Sequence, residues 1–253
     1  MRKNLTKRKI DAGETAYGVF VNVGCPSIVE IMGLIGFDFV LLDTEHGPMD
    51  LETCENMIRA ADNVNVTPII RIAMNIQQNI LRHFDIGALG VLMPMLRTME
   101  DAENVVRSVK YHPEGRRGLA GVRANYWGLT GPLGDYVQEA NRETLILTQI
   151  ETLEAVEKLD EILTVPSIDV IFIGPNDLSV AMGYPGQTKH PEVQTMIEKL
   201  VKKIHAAGKA SGTVAYDIET LKKCQERGFR FITYNIVPML VKSGREYLQA
   251  ARE

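Results

Sequence analysis

Short apolar runs alternate with longer amphipathic stretches along the whole chain. Eight runs predict strands: Tyr17–Val23, Phe37–Asp43, Thr67–Ile72, Gly90–Met95, Leu145–Ile150, Asp169–Ile173, Ala210–Val214 and Arg230–Tyr234. Most are apolar on both faces, as in Phe39-Val40-Leu41-Leu42 and Val170-Ile171-Phe172-Ile173, which suits parallel strands covered by helices. The stretches between them carry helix starts. Asp50-Leu51-Glu52-Thr53 and Thr98-Met99-Glu100-Asp101 open with acids where the helix dipole favours them. Asn75 is placed to cap Ile76–Phe84. Thr152, Pro191 and Asp217 start Leu153–Leu163, Glu192–Ala207 and Ile218–Arg227, and Gly36, Gly87, Gly208 and Gly228 fall where helices stop.

Eight strand–helix units in this order predict one α/β domain over residues 1–253, a single (β/α)8 TIM barrel. The alternative is a doubly wound open sheet, which normally carries a glycine-rich phosphate turn after its first strand. Here that turn reads Asn22-Val23-Gly24-Cys25-Pro26, without G-x-G-x-x-G. The longest irregular stretch, Tyr111–Leu133, holds the only tryptophan, Trp127, and is expected on the catalytic face.

Charge and cysteine content narrow the function classes. A net charge of −4 without a clustered basic surface argues against a nucleic-acid partner. The basic run from Met1-Arg2-Lys3 to Lys9 reads as a solvated first helix. Cys25, Cys54 and Cys224 are too scattered for a metal pair or a disulfide framework. With no span-length apolar run and no signal-peptide core, the expected location is the cytoplasm, away from membranes.

In a barrel, chemistry gathers at the C-terminal ends of the strands. The second strand ends in Asp43-Thr44-Glu45-His46-Gly47-Pro48, the third carries Arg71, the fifth carries Gln149 and ends at Glu151, and the sixth runs into Gly174-Pro175-Asn176-Asp177. Two carboxylates, Glu151 and Asp177, suit a hard divalent cation that leaves its other positions to water and substrate. Equally, each acid can simply cap the helix behind it. His46 on a tight loop can move a proton near neutral pH or merely bond a loop carbonyl, and Asp43 or Glu45 can fix its tautomer. Arg71 in an apolar strand needs a carboxylate partner, and can also stabilise a substrate oxyanion. Backbone N–H groups at Gly174–Asn176 open a helix and attract an anion, unless the segment is only a turn. A 2-oxo acid chelated there would have its adjacent C–H acidified, giving an enolate. No lysine falls at the mouth for an imine mechanism: Lys110 and Lys158 sit on helices, Lys189 in a loop, and Lys209 at the start of a strand.

These residues resemble the HpcH/HpaI family of class II pyruvate aldolases over nearly the whole chain from Gly18. The matching segments are Gly36-Phe37-Asp38-Phe39 through Asp43-Thr44-Glu45-His46-Gly47-Pro48, Tyr111-His112-Pro113-Glu114-Gly115-Arg116-Arg117-Gly118, Gln149-Ile150-Glu151-Thr152 and Phe172-Ile173-Gly174-Pro175-Asn176-Asp177-Leu178-Ser179. The resemblance implies reversible cleavage of a 4-hydroxy-2-oxo acid to pyruvate and an aldehyde through a pyruvate enolate. It implies that Glu151 and Asp177 hold Mg²⁺, or Mn²⁺ or Co²⁺, and that Gln149, Gly174, Pro175 and Asn176 bind the pyruvate unit. Arg71 would stabilise the enolate oxygen, and His46 with Asp43 would serve the acid–base steps. It also implies a homo-oligomer, a hexamer in which C-terminal helices exchange between barrels. Thr44 and Asn176 depart from the common glycine and alanine of relatives. Arg123-Ala124-Asn125-Tyr126-Trp127-Gly128 and Thr213-Val214-Ala215-Tyr216-Asp217 also depart, and both are expected to face the aldehyde. Rival readings are a related enolate enzyme acting on oxaloacetate, as decarboxylase or condensing synthase, and a non-catalytic barrel that binds an oxo acid.

Overall fold

The computed structural model describes residues 2–253. Eight parallel strands close into a barrel in sequence order: β1 (Ala16–Val21), β2 (Phe39–Asp43), β3 (Thr67–Arg71), β4 (Gly90–Met93), β5 (Leu145–Ile150), β6 (Val170–Ile173), β7 (Ala210–Val214) and β8 (Phe231–Asn235). Closure comes from β8 pairing with β1, Tyr17 opposite Ile232 and Phe20 opposite Asn235. The barrel reading therefore holds and the open sheet does not. The strands are shorter than the apolar runs at Val23, Phe37, Ile72 and Met95, because hydrophobicity continues into the flanking loops, where Ile72 is buried but Val23 and Met95 are exposed.

Alternation along each strand divides the apolar side chains between two cores. Phe20, Phe39, Leu41, Ile69, Leu92, Leu147, Phe172 and Phe231 fill the barrel interior. Val19, Val40, Leu42, Ile70, Val91, Ile146 and Ile171 point outward and pack beneath the helices. The interior is tight: Phe39 stacks on Phe231 with ring centroids 3.9 Å apart. Gly18 makes that stack possible, since a Cβ there would lie 2.3 Å from the Phe39 ring.

The base is plugged by the helix Leu5–Asp11, whose Ile10 joins the interior core. Asn4 ties it down by donating to the Leu89 carbonyl at 2.9 Å. Lys7 pairs with Asp169, and Lys9 with Asp38 at 2.9 Å. The basic run expected as a solvated helix is thus a stopper; its charges answer acids at the bottom of the strands. Met1 of that run lies outside the described residues.

Helix starts follow the capping chemistry in most cases. Thr98 and Asp101 form a reciprocal capping box, and Asp50, Thr152 and Asp217 each accept an N–H in the first turn. Asn75 does not cap its helix, which begins at Gln77 after Ile76. Its amide instead donates to the Asp101 carbonyl at 2.9 Å and accepts from Asn104 at 2.9 Å. The segment read as one helix over Leu153–Leu163 is two, Leu153–Glu157 and Leu159–Leu163, divided at Lys158.

The stretch Tyr111–Leu133 does not lie on the catalytic face. It follows the helix Met99–Val109 and precedes β5, which puts it at the opposite end of the barrel. There Arg123 donates to the Ile86 carbonyl at 2.8 Å and pairs with Asp62 at 2.5 Å, while Arg117 pairs with Asp85 at 2.8 Å. The catalytic-face loop after β4 is the short one, residues 94–98.

Candidate active site

The mouth of the barrel opens on a cavity of about 300 Å³ lined by Asp43, His46, Arg71, Gln149, Gly174, Pro175, Asn176 and Asp177 among others. Every sequence-assigned site residue except Glu151 lines it directly. Glu151 lies just beneath, against Gly174 and Gln149.

One side is built by β2 and β3, which pair with Asp43 opposite Arg71. Arg71 Nε donates to Asp43 Oδ1 at 2.9 Å and Nη2 to Oδ2 at 2.6 Å. Its third nitrogen, Nη1, lies 3.2 Å from Glu45 Oε2. The guanidinium rests over the Phe20 ring, 4.8 Å from its centroid. A buried cation with both edges engaged stays charged and keeps one orientation. Burial pushes the Glu45 carboxyl above its ordinary range, although Arg71 pulls it down.

The loop after β2 is folded by Asp43 itself. Its Oδ1 accepts the N–H groups of Glu45 and His46, both at 3.2 Å. Gly47 is required there, since a Cβ would meet the Asp43 carbonyl oxygen at 2.2 Å. Asp43 is therefore committed to Arg71 and to the loop backbone, not to the imidazole. His46 Nε2 stands 3.9 Å from Glu45 Oε2, and its side chain is 65% exposed.

The other side is built by β5 and β6. Glu151 Oε1 accepts the Met95 N–H at 2.8 Å, and Oε2 accepts from Gln149 Nε2. Burial, with the Asp177 and Glu45 charges adding to it, pushes the Glu151 carboxyl up to about 7. Gln149 Oε1 is buried without a protein partner. Gly174 passes so close that a Cβ would lie 2.6 Å from Glu151 Oε2 and 2.8 Å from Gln149 Nε2.

Neither acid is a helix cap. Thr152 caps the helix after Glu151. The helix Pro175–Ala181 begins at Gly174 without a side-chain cap, and Asp177 sits exposed in its first turn. Of the N–H groups expected to face an anion, that of Gly174 donates to the Ile150 carbonyl at 3.2 Å and Pro175 has none. Those of Asn176 and Asp177 remain at the helix start.

Sequence reasoning missed Met95, whose backbone holds Glu151 from a positive φ of 54°. The only signal was its place just after β4, following Pro94. It also missed Asn22, just past β1, and Asn235, at the end of β8, which line the cavity. Of the two segments expected to face an aldehyde, Val214 and Tyr216 reach the mouth, whereas residues 123–128 lie at the far end. Among the described residues no three His, Cys, Asp or Glu side chains cluster as a complete metal cage. No described helix is long and apolar enough to cross a membrane.

The chain matches the family model for HpcH/HpaI aldolase/citrate lyase over residues 16–240. It is 39% identical to 2-keto-3-deoxy-L-rhamnonate aldolase of Klebsiella pneumoniae, covering 94% of this chain and 88% of that protein. It is 35% identical to hydroxypyruvate/pyruvate aldolase of Roseobacter denitrificans, covering 96% and 94%. The crystal structure of an HpcH/HpaI aldolase/citrate lyase family protein from Burkholderia cenocepacia superposes with a TM-score of 0.94 at 30% identity, covering 99% and 100% of the two chains. With the barrel closed in order and the acids, Arg71 and His46 at its mouth, these likenesses establish the chain as a lyase belonging to the HpcH/HpaI aldolase/citrate lyase family.

Proposed function

We propose that the protein reversibly cleaves a 4-hydroxy-2-oxo acid to pyruvate and an aldehyde, with a divalent cation at Glu151 and Asp177. The observation that carries this reading is one mouth with two acids unused as helix caps facing an oriented guanidinium. The donor set fits an oxygen-loving cation. Glu151 is a buried carboxyl whose pKa burial raises to about 7, so a cation would offset the cost of its charge, and Gln149 Oε1 is an orphaned acceptor beside it. When bound, the cation supplies a Lewis acid for the keto oxygen; Mg²⁺ is the proposed ion, with Mn²⁺ or Co²⁺ as substitutes.

The chain's own groups supply the rest. Gln149 and the Asn176 and Asp177 N–H groups bind and orient the oxo acid. His46, exposed at the rim, takes the C4 hydroxyl proton. The C3–C4 bond then breaks, its electron pair passes into the pyruvate unit, and the aldehyde leaves. Arg71, locked by Asp43 and Glu45, faces the charge that develops on the enolate oxygen without needing to reorient. Pyruvate is completed by a proton at C3.

Glu151→Gln and Asp177→Asn test the assignment. Each is expected to lower aldol cleavage by about two orders of magnitude or more and to weaken Mn²⁺ binding in calorimetry. Unchanged affinity in both variants would refute it.

We also propose that the protein is a homo-oligomer. The helix Ile236–Ala250 exposes Leu240, Val241, Tyr247 and Leu248. Beside it an apolar groove is lined by Tyr17, Phe37, Leu221, Ile232 and Met239. Exchange of this helix between barrels would bury both. Light scattering should give a mass several times 28.2 kDa.

A further inference from the structure

Beside the mouth lies a second cavity that the proposed reaction does not use. It is a slot of about 200 Å³ between the helices Pro191–Ala206 and Ile218–Glu226. Ile197, Cys224 and Phe229, all buried, form an apolar wall. Burial pushes the Cys224 thiol up to about 11, so it stays neutral and counts with that wall. Pro175, Val214 and Tyr216 close the slot toward the catalytic end, and the same three residues line the mouth. The slot and the candidate active site therefore share a partition.

The rim of the slot carries charge of one sign. Lys189, Lys223 and Arg227 line it, and no described residue lining it is acidic. Each cation does meet an acid: Lys189 Nζ stands 3.2 Å from Asp217, Lys223 Nζ 2.7 Å from Glu219, and Arg227 Nη2 2.7 Å from Glu198. Those acids are exposed and stand outside the lining, and exposed pairs of this kind are weak in water. A carboxylate entering the slot can share the same cations. Arg227 is already oriented for it, since Nη1 donates to Gln194 Oε1 at 2.7 Å.

We propose that this slot is an effector site for a small amphipathic monocarboxylate, with its apolar body between the two helices and its carboxylate at the basic rim. A dry apolar cavity of about 150 Å³ accepts one benzene ring, so the slot takes a benzoate or a chain of roughly six carbons. Occupancy acts on the mouth through the shared partition. Side chains beside an empty space have no atoms to pack against on that side. A ligand behind Pro175 and Tyr216 orders the wall that leads into the Asn176 and Asp177 N–H groups. An oxo acid then loses less freedom when it binds there. The coupling is reciprocal, so the effector tightens pyruvate and pyruvate tightens the effector.

The test is calorimetric titration of the metal-loaded protein with hexanoate and benzoate. Acetate, which lacks the apolar body, and hexanol, which lacks the charge, are the controls. The two acids are expected to bind saturably and at least about tenfold more tightly than either control. Ile197→Trp fills the slot, and Lys189→Glu combined with Lys223→Glu reverses its rim on exposed positions that leave the fold intact. Each is expected to weaken hexanoate by about tenfold or more while pyruvate alone binds as in the wild type. Saturating hexanoate should lower the pyruvate Kd of the wild type by about fivefold. No binding of either acid, or hexanol binding as tightly as hexanoate, would overturn the proposal. So would hexanoate affinity unchanged in the rim variant, or displacement of hexanoate by pyruvate, which would put the acid in the mouth. A pyruvate Kd unmoved by bound hexanoate would overturn the effector role. None of these readouts needs turnover. Exchange of the pyruvate methyl protons is followed in parallel, and its absence would fell the aldolase reading alone.

Discussion

Gly174 shows how one residue sets the site. It looks like punctuation between a strand and a helix, yet its missing side chain is what lets Glu151 and Gln149 approach the mouth. Gly174→Ala must displace one of them, because contacts of 2.6 and 2.8 Å are below van der Waals separation. We expect Mn²⁺ affinity to fall by about tenfold or more, read by calorimetry, with the circular dichroism spectrum unchanged. Affinity equal to wild type would mean that the carboxylate has room to move. The acids and Arg71 were legible in sequence because charge at the end of an apolar strand is costly and so informative. Met95 was not, since it acts through a backbone N–H and any residue has one. The carboxylate partner of Arg71 was not legible: the sequence set Asp43 beside His46 and suggested an acid such as Glu45 for Arg71, and only the register of β2 against β3 brings Asp43 opposite Arg71.

At the scale of elements, the β2–β3 pair is joined by a buried polar network at the mouth of the barrel. Asp43 receives two bonds from Arg71 and two from the following loop, so it fixes a strand, a cation and the position of His46 together. Asp43→Asn keeps the shape and removes the charge. We expect it to destabilise the fold by about 3 kcal/mol, because a buried guanidinium loses its main counter-ion. Urea unfolding measures this, and a change below about 1 kcal/mol would show that Glu45 suffices. Strands and most helices were legible because their periods and caps are local. Asn75 misled because the same amide that caps a helix can bridge to the next one, where Asp101 and Asn104 wait. The long stretch after the fourth strand misled because its face depends on the side of the intervening helix on which it falls, which length does not reveal.

At the scale of the whole molecule, the barrel gathers acids at one end that are favourable only when answered. Burial raises Glu151 to about 7, above its ordinary 4.5, so the metal-free fold holds a proton that the unfolded chain has already lost between those values. This contribution to stability is full below about 4.5 and is lost as pH rises through 7. Glu45 shifts in the same direction. In EDTA, stability should therefore fall from pH 5 to pH 7.5 more steeply for the wild type than for Glu151→Gln. Added Mg²⁺ should restore most at the upper end, since it competes with that proton. Equal slopes for the two proteins in thermal denaturation would contradict this.

The central claim is that this mouth makes a pyruvate enolate with the help of a divalent cation. Deuterium exchange of the pyruvate methyl group in D₂O tests it most directly, because no aldehyde is needed. The account predicts exchange with Mg²⁺, loss of exchange in EDTA, and a loss of at least about a hundredfold in Arg71→Ala. No exchange by the wild-type protein under any divalent ion would contradict it.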